Sequence, residues 1–279
     1  VLMNAPLVTR ALLQAYQRGK VAVAGGVSSA ETLVPVVFTI LTGVHEPARM
    51  GQMDARVGVA KVPDPRLDAL ARIFEPPKVT FATVEYLDFP SISKDALANA
   101  SYLAGLRVAD SIAHVLRVFA DETVPHEKGS VDPLRDAADV EIELILSDLV
   151  VIEKRMERLE KDRKKQKSPE LDHEFDTLTR CKQALEADQP IRNLEFTPDE
   201  EKRIRGFQFL SQKPMLYVLN VGDTDAGRLH EVEEEFRKGP LGQGRNTAIT
   251  GICGKVEAEL AELGPEEAAE FMKDYGIAE

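Results

Sequence analysis

The stretch best suited to chemistry is Val21-Ala22-Val23-Ala24-Gly25-Gly26-Val27-Ser28-Ser29-Ala30-Glu31-Thr32-Leu33, an apolar β-branched run entering a glycine turn and then a helix. Such a turn lets backbone N–H groups surround phosphate, and Gly25, Gly26, Ser28 and Thr32 are the residues placed to do so. A working phosphate turn also needs a lysine on the outer phosphates and a hydroxyl on Mg²⁺, and Ala30 and Glu31 stand there instead. At an effective dielectric of about 20, a carboxylate about 4 Å from a phosphate charge costs on the order of 4 kcal/mol. The turn reads as a phosphate site that has lost its phosphate. Asp88 is the second candidate, because it ends a β-branched run at the position from which open α/β sheets address ligands. Its bland alternative is a cap on a strand end.

Composition narrows the rest. A chain of 279 residues, 43% hydrophobic and 29% charged, can bury a full core in one large or two modest domains. The formal net charge of -12 repels nucleic-acid phosphate, so free nucleic acid is not the expected partner and any RNA contact needs a local basic patch. Cys181 and Cys253 lie far apart, and the five histidines form no ligand-spaced pair, so a reducing compartment and no metal site are expected. No run is long enough to enter a membrane and no signal-peptide block opens the chain. Residues 1 to 30 carry Arg10, Arg18 and Lys20 but no acid, as organellar transit segments do, which leaves the mitochondrial matrix or the cytoplasm for a soluble protein. A short basic helix explains the same residues.

The elements that must position these groups follow from periodicity. Residues 5 to 18 predict an amphipathic helix, with Val8, Leu12 and Tyr16 at helical spacing. Strands are expected at Val21 to Ala24, Val57 to Val62, Val79 to Leu87, Ser111 to Phe119, Pro214 to Val221 and Thr247 to Cys253. Helices are expected after the glycine turn, at Leu67, Leu70 and Ile73, over Lys94 to Leu106, from Pro198 to about Leu210, around Leu229 to Phe236, and over Lys255 to Leu263 and Pro265 to Tyr275. This is the pattern of an α/β sheet with helices on both faces. From Asp139 the pattern changes: Ile142, Ile145, Leu149, Ile152, Met156 and Leu159 recur every three or four residues, as in a coiled-coil seam. Leu171, Phe175, Leu178 and Leu185 resume the period after a basic break, giving an antiparallel helical hairpin. Its tip, with Arg163, Lys164, Lys165 and Lys167, is a solvated turn or a contact for acidic protein or RNA phosphate. The glycines of Gly239 to Gly244 lead into a strand and read as a flexible loop. The expected division is 1–138, a helical insertion at 139–212, and a return to the sheet at 213–279.

Val57-Gly58-Val59, Val62-Pro63-Asp64-Pro65-Arg66-Leu67-Asp68, Ala82-Thr83-Val84-Glu85-Tyr86-Leu87-Asp88, Gly129-Ser130-Val131-Asp132-Pro133 and Lys255-Val256-Glu257-Ala258-Glu259-Leu260 resemble the YchF family, P-loop NTPases of the Obg group tied to translation. The resemblance implies a G-domain-like P-loop NTPase fold with an inserted helical hairpin. It also implies a base-recognition loop at Asn220-Val221-Gly222-Asp223, in which Asn220 and Asp223 hold the purine, and a final base loop at Cys253-Gly254-Lys255. Against the family pattern, the switch threonine maps near Gln52, and the Asp-x-x-Gly motif reads Asp88-Phe89-Pro90-Ser91. Pro90 lacks an N–H, and Ser91 has less backbone freedom than glycine. The second switch is shortened, and the chain ends before the family's last G-domain helix and TGS domain.

Two readings follow. In the first, the chain is a catalytically inactive pseudo-GTPase with no catalytic residues and no expected cofactor, serving a ribosome or another protein or ribonucleoprotein assembly. In the second it binds and hydrolyses GTP or ATP with Mg²⁺ through Gly25, Gly26, Ser28, Thr32, Asp88, Asn220, Asp223 and Lys255. A different enzyme altogether finds no His, Cys and Asp constellation to support it. Residues 5 to 18 are expected to cover the sheet face that the missing C-terminal helix leaves bare.

Overall fold

The computed structural model describes residues 19–25, 33–43, 55–62, 64–121, 126, 128–263 and 267. In chain order the elements are β1 (Gly19–Gly25), α1 (Leu33–Thr42), β2 (Arg56–Lys61), α2 (Pro65–Phe74), β3 (Thr83–Asp88), α3 (Lys94–Ala98), α4 (Ala100–Val108) and β4 (Ser111–Arg117). They continue with α5 (Pro133–Lys165), α6 (Pro169–Glu186), α7 (Pro198–Ile204), β5 (Met215–Asn220), α8 (Leu229–Lys238), β6 (Thr247–Ile252) and α9 (Gly254–Glu262). The strands form one sheet in the order β2-β3-β1-β4-β5-β6. All neighbours run parallel except β2, which lies antiparallel on the edge against β3.

Alternation along the strands builds two cores. Val21 and Val23 of β1, with Val84, Tyr86, Val115, Leu216 and Val218, pack against Val34, Val37, Phe38 and Leu41 of α1. The intervening Ala22 and Ala24, with Leu87, Ile112, Leu116 and Tyr217, face Leu97 of α3, Tyr102 and Leu106 of α4 and Leu144 of α5. Gly58 lets β2 approach α1, since a Cβ there would lie 2.5 Å from Thr42 Cγ2.

The sheet and the hairpin are as expected, and several boundaries are not. The strand expected from Val79 begins at Thr83, where its partner β2 ends at Lys61. The single helix expected over Lys94 to Leu106 is two, because Asn99 Oδ1 accepts from the Ser101 and Tyr102 N–H groups and starts α4 afresh. The capping box at Thr197 and Glu200 forms, but α7 ends at Ile204 in a tighter turn, well short of Leu210. Asp139 lies inside α5, which starts at Pro133 behind the cap Asp132. Ile145, Ile152 and Leu159 are buried against Leu178, Cys181 and Leu185 of α6, whereas Ile142 is 45% exposed and outside that seam. The α2 helix forms with the Asp64 cap, yet none of its residues is buried, and Leu70, Ile73 and Phe74 face solvent. The predicted helices 5 to 18 and Pro265 to Tyr275 fall outside the described residues, Glu267 excepted.

Asp148 ties the hairpin to the segment that leads into β5. Its carboxylate is fully buried and accepts from Leu210 N–H at 3.0 Å, Ser211 N–H at 2.7 Å and Ser211 Oγ at 2.8 Å. Asp148→Ala would leave three buried donors unpaired, and the expected loss is about 3 kcal/mol in urea unfolding. Asp148→Asn, which keeps an acceptor, should lose less.

His114 in β4 is buried, and neither ring nitrogen has a hydrogen-bond partner among the described residues. Burial lowers its pKa from 6.5 to about 4, against the opposing charge of Asp136. The unfolded chain takes up this proton near pH 6.5 while the folded chain refuses it until about pH 4. Its contribution is therefore intact above pH 6.5 and falls on acidification, by roughly 3 kcal/mol at pH 4. His114→Leu should flatten the fall in denaturant midpoint across that window.

Candidate functional site

Gly25, Asp88, Arg117 and Asn220 end β1, β3, β4 and β5, so they share the carboxyl edge of the sheet, where open α/β folds bind ligands. Of the residues singled out in sequence, this edge gathers Gly25, Asp88, Asn220, Asp223 and Lys255. Gly26, Ser28, Thr32 and Gln52 lie outside the described residues.

The residues that the resemblance assigns to the base lie close together. Asn220 is buried, and its Oδ1 accepts from Gly254 N–H at 2.9 Å, tying the end of β5 to the first residue of α9. The strand pairing continues beyond it through Val221 N–H to Ile252 O at 2.9 Å. Asp223 opens a short 3-10 turn, where Lys255 Nζ lies 2.8 Å from its Oδ2 and Thr224 N–H donates to Oδ1 at 3.0 Å. The Lys255 hydrogen bond lowers the Asp223 carboxyl below its ordinary value and holds it ionised. An ionised carboxylate beside a buried amide can accept from the N–H groups on a purine's edge, the ring N–H and amino group of guanine above all. In Cys253-Gly254-Lys255 the small Gly254 makes the bond to Asn220, while Lys255 stays exposed.

The phosphate side is arranged differently. Asp88 is buried and directly opposite Arg56 in the β2–β3 register. Arg56 Nε donates to Asp88 Oδ2 at 2.7 Å, and Nη2 bonds the same oxygen. Burial raises the Asp88 carboxyl above its ordinary value, with Arg56 pulling the other way. Beyond Asp88 the chain stays on the β1 ladder: Phe89 N–H donates to Val23 O at 3.0 Å and Ile92 N–H to Gly25 O at 2.9 Å. Phe89 and Ile92 are buried, Phe89 meets the Tyr102 ring edge-on at 5.3 Å, and Tyr102 Oη donates to Pro90 O at 3.0 Å. In phosphoryl-transfer sites Mg²⁺ sits between a hydroxyl of the phosphate turn and a strand-end carboxylate. The Asp88 oxygen shown here is taken by a guanidinium. Among the described residues no group of three or more His, Cys, Asp and Glu could hold a metal.

At the hairpin tip the four basic residues separate. Arg163 holds the hairpin closed, with Nε 2.6 Å from Asp172 Oδ1 and its guanidinium 4.3 Å from the Phe175 ring centroid. Lys164, Lys165 and Lys167 are exposed and project from the end of the hairpin.

No protein-family model matches the chain. It is 35% identical over 232 residues to the ribosome-binding ATPase YchF of Bacillus subtilis, an alignment covering 81% of this chain and 63% of that protein. The chain belongs to the YchF family. The ribosome-binding ATPase YchF of Escherichia coli O157:H7 is 32% identical over 232 residues, covering 81% of this chain and 62% of that one. Obg-like ATPase 1 of rice is 30% identical over 250 residues, covering 86% and 63%. The chain thus spans a little under two thirds of the length of these YchF relatives. The solved YchF GTPase of Schizosaccharomyces pombe shares the fold, with a TM-score of 0.72 at 23% identity over 92% of this chain and 71% of that one. The P-loop NTPase-type sheet and its hairpin are therefore those of a YchF G domain. Among the described residues no helix is long and apolar enough to cross a membrane.

Sequence reasoning passed over Arg56 and Arg117. Arg117 is buried, stacks 4.8 Å over the Phe119 ring and donates to the carbonyls of Phe119 at 3.0 Å and Asp121 at 3.1 Å, shaping the loop beside Asn220. The available signal was an arginine at the end of a mostly apolar strand. Asn220→Ala would orphan the Gly254 N–H, so a loss of about 1–2 kcal/mol is expected in denaturant unfolding. Lys255→Ala breaks the exposed pair with Asp223, and the expected change in Tm is small.

Proposed function

We propose that this chain is a YchF-type pseudo-GTPase: a nucleotide-fold protein that serves as an interaction subunit of a ribosome or another large assembly and does not turn nucleotide over. The observation that carries this reading is the Ile92 N–H to Gly25 O bond. It fastens the segment after Asp88 to the strand entering the phosphate turn, where a γ-phosphate sensor needs to move. Pro90 and Ser91 replace freer residues in that segment, and Ala30 and Glu31 replace the lysine and hydroxyl of the turn. Phosphoryl transfer is mostly positioning and charge neutralisation, and these changes remove both.

The relatives named ribosome-binding favour a ribosome as the partner. Lys164, Lys165 and Lys167 offer a local positive field on a chain of net charge -12, suited to ribonucleoprotein phosphate. The proposed setting is the mitochondrial matrix or the cytoplasm. A second reading, retained purine binding, is favoured by the coupling of Asn220 to Gly254 and of Asp223 to Lys255. In it the base is held while the phosphate tail is not processed, with any GTP or ATP bound unhydrolysed.

Phosphate release from GTP and ATP with Mg²⁺, measured alongside ribosome co-sedimentation at stepped salt, tests the proposal. The expected outcome is release no faster than buffer, together with salt-sensitive co-sedimentation that is lost when Lys164, Lys165 and Lys167 are all changed to Glu. Mg²⁺-dependent turnover would overturn the inactive reading. Co-sedimentation indifferent to the triple change would remove the tip from the contact.

A further inference from the structure

Arg56 enters the carboxyl edge from β2, the single antiparallel strand of the sheet. Groups from three elements hold it. Its backbone is in the edge strand, its guanidinium lies 5.0 Å from the Phe38 ring centroid of α1, and its Nε and Nη2 both engage Asp88 Oδ2. Both donors converge on one oxygen, so they fill its lone-pair directions. Asp88 in turn pairs with Val23, two residues before the phosphate turn begins at Gly25. A permanent positive charge, planar and immobilised, is thus held where phosphate-binding sheets present a carboxylate to a metal. The pair is half of a charge balance: the carboxylate is neutralised before any ligand arrives, so an approaching phosphate meets no bare anion at Asp88.

We infer that Arg56 is a resident substitute for the divalent cation at Asp88, so that a purine nucleotide binds this edge without Mg²⁺. The inference rests on the retained purine binding described above. Arg56 acts as a positioning and neutralising residue and takes no part in bond making. The ligand class is a metal-free purine nucleotide, held by its base at Asn220 and Asp223.

The test is a titration of the intact chain with fluorescent GDP and ADP, once with excess Mg²⁺ and once with EDTA. For the wild-type chain the two dissociation constants should agree within about twofold. Arg56→Gln bares Asp88, so its binding in EDTA should weaken about tenfold and be restored by Mn²⁺, with bound Mn²⁺ seen by relaxation enhancement in the variant and not in the wild type. Arg56→Lys keeps the charge and should remain indifferent to metal, which a purely structural role for the guanidinium does not predict. Wild-type binding that collapses in EDTA overturns the inference and leaves the nucleotide reading standing. Arg56→Gln that behaves alike with Mn²⁺ and EDTA also overturns it. Absence of binding in every buffer sinks the nucleotide reading and the inference with it.

Discussion

The parallel ladder between β1 and β3 runs on past the last residue of β3, and the arrangement of the carboxyl edge depends on that extension. Asp88 pairs with Val23, then Phe89 N–H bonds Val23 O and Ile92 N–H bonds Gly25 O. Once the chain is committed to this path, Phe89 and Ile92 must enter the core and Pro90 must lie between them. The Tyr102 hydroxyl is then free to satisfy the Pro90 carbonyl. Each contact is small, but opening any one exposes buried apolar side chains and breaks a backbone bond, so the segment behaves as a unit. A residue sequence that kept glycine here would have allowed backbone conformations that proline and serine do not.

The two sides of the edge consequently carry different kinds of interaction. On the base side, a buried amide and an exposed ion pair join the ends of β5 and β6, leaving a carboxylate held ionised by Lys255. At the end of β3, the buried Asp88 is paired from within the chain by Arg56. The hairpin adds a third component. Asp148, by accepting three hydrogen bonds from Leu210 and Ser211, anchors its base, while the paired helices carry the lysines of its tip away from the sheet. A scaffold of this kind can present a charged arm without a chemical cycle to drive it.

Much of this was legible from residue order alone. β-branched runs located five of the six strands to within two or three residues, and Thr197 with Glu200 marked a helix start that forms as a reciprocal cap. The resemblance at Asn220, Asp223 and Lys255 identified residues that the fold does bring together. What escaped has physical causes. An apolar run reads the same in either direction, so Val57 to Val62 gave no sign of antiparallel pairing, and without that register Arg56 cannot be set opposite Asp88. Asn99 looked like an ordinary helical residue until its side chain was seen to cap a new helix. Ile142 satisfied the hairpin spacing but is half exposed and lies outside the cluster that joins α5 to α6. Arg163 counted as one of four equal charges, and only the hairpin geometry gave it Asp172 and Phe175 as partners.

The central claim is that the segment after Asp88 is fixed to β1 and does not respond to the phosphate tail of a nucleotide. Native-state hydrogen exchange of the Ile92 amide measures this directly, with and without GTP and Mg²⁺. The account predicts slow exchange close to that of the neighbouring core strands and unchanged by nucleotide. Fast exchange at Ile92 in the free protein, or a change in its protection when GTP and Mg²⁺ are added, would contradict it.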